Sequence, residues 1–188
     1  MNQLIVSKKT GFKNTSLSTP IIIRDFRGKI FYSSEGLRLV EQFNLPEGQY
    51  LIDSGVFEQM KKPVIYKVPP LPPAERNFPL PENFLIEFAP NINKCTIMWD
   101  KKKIVFDNAL KNLSLPELYF ILYHEFGHSK YKTEKYADLF SVCRMLKMGY
   151  NPSQIGASPV TSLSNAQYDR KKFIIKKVIK YGRHNVQR

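Results

Sequence analysis

The sequence predicts an α+β protein: a strand-rich first third, a proline-rich connector, then a small sheet followed by long helices. Three observations carry this expectation. Short β-branched and aromatic runs, broken by turn residues, fill Leu4 to Val68. Prolines crowd the stretch from Pro69 to Pro81. Helix start and stop signals then bracket two apolar-patterned segments after Ser114. The expected divisions are a strand-rich module over 1–68, a connector over 69–81, a core over 82–163 and a basic helix or tail over 164–188. A chain of 188 residues, 43% of them hydrophobic, can bury a proper core and is not expected to be disordered as a whole.

Ile21 to Arg24 and Lys29 to Tyr32 flank Asp25-Phe26-Arg27-Gly28, the pattern of a hairpin with a glycine in its loop. Leu37, Val40 and Phe43 are spaced for a short helix over 35–43, stopped by Asn44-Leu45-Pro46. Tyr50-Leu51-Ile52 and Val64-Ile65-Tyr66 read as further strands. The run Pro69-Pro70-Leu71-Pro72-Pro73 cannot be helix or central strand, because each proline fixes φ and removes a donor. It reads as a stiff extended connector in preference to a ligand for an SH3-type domain. Phe84 to Phe88, Lys94 to Trp99 and Ile104 to Asp107 read as strands, the last two as a hairpin turning at Asp100 to Lys103.

Ser114-Leu115-Pro116-Glu117 is a capping box with proline in the first turn. The helix it opens runs through Leu118, Ile121 and Leu122 into His124-Glu125-Phe126-Gly127-His128. Residues four apart share a helix face, so two imidazoles at this spacing can hold one Zn2+, with a glutamate beside the first to act on a water. A second helix is expected from about Thr133 to Met148, stopped at Gly149. Glu134 and Asp138 share a face of it, so one can ligate while the other orients a histidine. Glu134 is taken as the ligand and Asp138 as the support, with the reverse assignment open. Ser153 to Ser164 reads as loop or weak helix, and Asp169 to Lys180 as a basic amphipathic helix.

The segment from Phe84 to Met148 resembles the zincin metallopeptidases, whose core is a strand, an H-E-x-x-H helix and a second helix with the third ligand. Glu134-Lys135-Tyr136-Ala137-Asp138 looks like the E-x-x-x-D signature of the gluzincin branch. The six-residue step from His128 to Glu134 is instead that of the metzincins, although Tyr131 stands where they carry glycine. Leu71-Pro72-Pro73-Ala74-Glu75-Arg76 and Gly149-Tyr150-Asn151-Pro152-Ser153 are more weakly similar to small metallopeptidase-like proteins of bacteriophages. The resemblance implies a zincin-like core and a zinc metalloendopeptidase that hydrolyses peptide bonds with a metal-activated water, Glu125 being the general base. It implies His124, His128 and Glu134 as metal ligands. Tyr131, Tyr136 and Tyr150 are candidates to stabilise the oxyanion. A protein or peptide substrate would pair along an edge near Thr96 to Trp99 or Ile104 to Asp107.

Charge and cysteine content place the chain more broadly. Lys and Arg exceed Asp and Glu by 13, and the stretch from Ser164 to Arg188 holds eight basic residues against one acid. That field suits anionic partners, including non-specific nucleic-acid contact through the tail, without implying base recognition. The cysteines Cys95 and Cys143 read as free thiols in a reducing compartment, and His184 as an exposed residue of the tail. No leader-like or membrane-length apolar run is seen, so a cytoplasmic setting is expected, in a host cell or a virion if phage-encoded, with no membrane partner. The competing expectation is a structural or assembly protein, such as a virion component, that binds metal on the same scaffold without cleaving a substrate.

Overall fold

A computed structural model describes residues 2–15, 19–33, 42–76, 84–92, 95–162 and 167–182. The protein is α+β, with several small sheets and four α-helices among these residues. The first third contributes β1 (Asn2–Val6), β2 (Thr10–Asn14), β3 (Ile22–Asp25), β4 (Ile30–Ser33), β5 (Gln42–Leu45), β6 (Gly48–Ser54) and β7 (Phe57–Gln59). They form two antiparallel sheets, ordered β1-β6-β3-β4 and β5-β2-β7. The hairpin expected around Gly28 is β3–β4. Asp25 Oδ1 accepts from the backbone N–H groups of Arg27 and Lys29 at 2.9 and 3.0 Å, and Gly28 takes φ of 76°.

Two expectations for this region are corrected. Gln42 and Phe43 belong to strand β5 and not to a helix, while residues 35–41 of the proposed helix lie outside the described residues. Phe43 is fully buried between the Tyr32 and Phe12 rings, so its apolar spacing reflected sheet burial rather than a helix face. Val64 to Tyr66 is not a strand. The Val64 backbone bonds instead to one side chain: its N–H donates to Asn44 Oδ1 at 2.7 Å and its carbonyl accepts from Asn44 Nδ2 at 2.8 Å. Asn44 thus replaces a neighbouring strand for one residue. Asn44→Ala would leave two buried backbone groups unpaired at about 1–3 kcal/mol each, so a destabilisation of about 2–6 kcal/mol is expected in urea unfolding. Wild-type stability in that variant would refute the assignment.

The third sheet comprises β8 (Leu85–Ala89), β9 (Cys95–Met98) and β10 (Lys103–Asp107), ordered β8-β10-β9. Strand β10 pairs antiparallel with β9, as the hairpin signal implies, and parallel with β8. Of the two edges expected to accept a substrate, only β9 is an edge. Ile104 to Asp107 is the central strand, its two sides already taken. Ile104 and Phe106 of β10 are buried against Leu118, Ile121, Leu122 and Phe126 of the helix that follows.

Helices α1 (Leu115–His128), α2 (Glu134–Met148), α3 (Pro152–Ser162) and α4 (Tyr168–Gly182) follow. Helix α1 starts where the capping signal places it: Glu117 reaches back to accept from Ser114 N at 2.6 Å and from Ser114 Oγ at 2.7 Å. Helix α2 is capped by Thr133 and ends at Gly149, whose φ of 98° is a left-handed conformation that suits glycine. The stretch expected to be loop or weak helix is α3. Asn151-Pro152 stops α2 and also starts the next helix, with Asn151 N donating to Gln154 Oε1 at 2.9 Å and proline in the first turn. Helix α4 is docked and is not a free tail, for Ile174 and Val178 are buried while Lys172, Lys176 and Lys180 face outward.

One apolar cluster joins the strand-rich third to the helices. Ile23, Phe31, Phe43 and Tyr50 share it with Phe120, Val142, Met145, Ile155, Ile174 and Val178. Among the described residues, no helix is long and apolar enough to cross a membrane.

Candidate metal centre

The site lies where α1 and α2 cross. Their close approach has a local cause in the sequence: Gly127 of α1 faces Ala137 of α2, and a Cβ at position 127 would fall 2.7 Å from Ala137 Cα and 2.9 Å from its carbonyl oxygen. One turn further along α2, the small Ser141 is buried and donates to the Phe120 carbonyl at 2.8 Å. Gly127 sits between the two histidines in sequence, and Ala137 between Glu134 and Asp138. The contact that draws the helices together therefore also brings these four side chains together.

The structure groups His124, His128 and Glu134. His124 Nε2 and His128 Nε2 are 3.2 Å apart. Glu134 places Oε2 at 3.3 Å from His124 Nε2 and Oε1 at 3.4 Å from His128 Nε2. Asp138 is fully buried behind His124, its Oδ1 2.8 Å from His124 Nδ1. That approach is short but lies outside hydrogen-bond geometry. It leaves Nε2 of His124 facing the cluster. Of the two acids, Glu134 is the one that reaches both imidazoles by Nε2, while Asp138 touches only the far nitrogen of His124.

Arg170 of α4 was not anticipated from the sequence. Its Nε and Nη2 bond Asp138 Oδ2 and Oδ1 at 3.0 and 2.7 Å, and Nη1 lies 2.8 Å from Glu134 Oε2. The run Arg170-Lys171-Lys172 gives no local sign that its first member turns inward; the only available signal is its spacing of four and eight from the buried Ile174 and Val178. Burial alone would push the Asp138 carboxyl up, but contacts from His124 and Arg170 outweigh it and hold the group below its ordinary value. Burial pulls the Arg170 guanidinium down, and the Asp138 and Glu134 charges more than reverse this. Glu125 is partly buried, and its charge is felt by Arg170 and by Cys95, whose thiol is pushed up to about 12, first by burial and then by Glu125.

The five-residue link from His128 to Glu134 is held by the proline-rich connector, which packs across it as a strap. Lys130 O accepts from Glu75 N at 2.9 Å and Arg76 N at 3.1 Å, Tyr131 Oη donates to Pro72 O at 3.0 Å, and Arg76 Nη1 donates to His128 O at 3.2 Å. Cys143 Sγ also contacts Pro69 O at 3.1 Å. These bonds fix the short link at Lys130 and Tyr131. They also remove two oxyanion candidates. Tyr131 is buried with its hydroxyl bound to the strap. Tyr150 is buried in the N-terminal core beside Phe31 and Tyr119, where burial raises its hydroxyl well above its usual range. Tyr136 remains half-buried on α2, and His184 lies outside the described residues.

Comparison of the chain with family models, with curated proteins and with solved structures finds no match in any of the three.

Proposed function

We propose that the protein is a zinc-dependent metallopeptidase built on a zincin-like core, with His124, His128 and Glu134 as ligands and Glu125 as general base. The observation that carries this reading is the spacing of the donor atoms. A tetrahedral ion with bonds of about 2.0–2.1 Å to nitrogen and oxygen separates its ligand atoms by about 3.3–3.4 Å. The two imidazole nitrogens are 3.2 Å apart, Glu134 brings one oxygen to 3.3 Å from the first and its other oxygen to 3.4 Å from the second, and one ligand atom from each residue lies within 4.8 Å of the others. Two imidazoles and one carboxylate form a donor set that suits zinc and leaves a fourth position for water or substrate.

Bound Zn2+ supplies Lewis acidity, lowering the pKa of a water and polarising a carbonyl. The remaining work falls to the chain. Asp138 lies against the far nitrogen of His124, where a carboxylate would favour the tautomer that turns Nε2 to the metal. Glu125 follows His124 on α1, where it takes a proton from the attacking water and passes it to the leaving amine. The exposed edge of β9, with Met98 and the neighbouring Trp99 partly open to solvent, offers an extended peptide a strand to pair with.

Metal analysis of the purified protein, with a fluorogenic peptide library, tests the reading. One zinc per chain is expected, lost in His128→Ala, together with cleavage that a chelator stops and zinc restores. Folded wild-type protein with background zinc would refute the metal centre. Stoichiometric zinc without cleavage of any peptide would assign the ion to stabilising the fold instead.

A further inference from the structure

We propose that Arg170 is a positioning residue of the metal centre, which makes α4 part of that centre and not an appended basic helix. The inference rests on the metal-binding reading above. Arg170 is the group that joins the two acids of α2. Its guanidinium spans both oxygens of Asp138 and one oxygen of Glu134 with three different nitrogens. A planar guanidinium with five donors in fixed directions suits two carboxylates one helical turn apart, whereas an ammonium would serve as a point charge. The clamp takes Glu134 Oε2, while Glu134 Oε1 is the oxygen that faces His128.

Two further features support the assignment. Asp138 is wholly buried, and a buried carboxylate needs a charged, hydrogen-bonding partner to be tolerated. Its contacts are His124, which it is to orient, and Arg170, which anchors it. The placement of Arg170 is in turn enforced by packing, because Ile174 and Val178 fix the same face of α4 to the core at steps of four.

The proposal predicts a sign opposite to that of bulk electrostatics. The chain carries a formal charge of +13, so deleting a cation near a cation site should strengthen metal binding if charge alone matters. Loss of a positioning residue should weaken it. In the full-length chain, Arg170→Gln is expected to lower Zn2+ affinity, measured by competition with a chromophoric chelator, by about 10–100-fold. The visible absorption of the Co2+-substituted protein should change in position and intensity. Arg170→Lys, which keeps the charge but not the fork, should recover part of the affinity. Lys176→Ala, an exposed change on the same helix, should leave it within about twofold of wild type or raise it. Circular dichroism reports whether each variant is folded. A folded Arg170→Gln that binds zinc as tightly as wild type, or more tightly, overturns the proposal while leaving the metal centre standing. Should the glutamine variant not fold, Arg170→Lys decides: wild-type affinity and an unchanged cobalt spectrum overturn it. A wild type that binds no metal overturns the metal centre and this inference together.

Discussion

Glu125→Gln is expected to reduce peptide hydrolysis by about two to four orders of magnitude, the usual contribution of a general base, while zinc content and melting temperature stay at wild-type values. The amide matches the carboxylate in size and hydrogen-bonding reach but cannot take the proton. Glu125 is not one of the three grouped donors, so its neutralisation leaves that group intact. It also removes a negative charge near Arg170 and Cys95 without touching the Arg170 clamp on Asp138 and Glu134. His128→Ala provides the contrast, since there activity and metal should disappear together. Parallel measurement of kcat and zinc stoichiometry separates the two behaviours. Turnover equal to wild type in Glu125→Gln would exclude this residue as the base.

Gly127→Val should be the most damaging single change to the architecture of the site. A Cβ at this position meets Ala137 backbone atoms at 2.7 and 2.9 Å, and backbone cannot rotate away as a side chain can. Overpacking typically costs about 1–3 kcal/mol, and a conflict with the main chain of a neighbouring helix belongs at or above the top of that range. The helices must then separate, and the His124–Glu134 spacing of 3.3 Å widens with them. Both lower stability in denaturant and loss of zinc affinity are expected. Gly127→Ala should show the same effects more weakly, because alanine's better helix propensity, worth up to about 1 kcal/mol, offsets part of the clash. Unchanged stability in the valine variant would mean that the helix crossing is not set by this contact.

The parts of the fold that could be read from the sequence were those with local causes. Ser114 with Glu117, Thr133 and Gly149 set the ends of α1 and α2 through bonds or backbone conformations within a few residues, and the expected boundaries agree with the structure. The grouping of His124, His128 and Glu134 follows from a four-residue repeat on one helix and a capped start to the next. What escaped the sequence depends on distant partners. Val64 looks like a strand residue until Asn44, 20 residues earlier, is seen to occupy its backbone. The strap looks like a linker until the backbone of Glu75 and Arg76 meets Lys130. Arg170 sits among similar cations and is distinguished only by the face of α4 that the core selects.

The Arg170–Asp138 clamp also has a consequence in time. The two residues are 32 positions apart, with Arg170 the later, so at about 5–20 residues per second Asp138 is made roughly 2–6 s before the guanidinium that holds it. A nascent chain that ends before Tyr168 carries both histidines and both acids but has no Arg170 for Asp138. On the ribosome, both acids of α2 therefore exist before the cation that joins them.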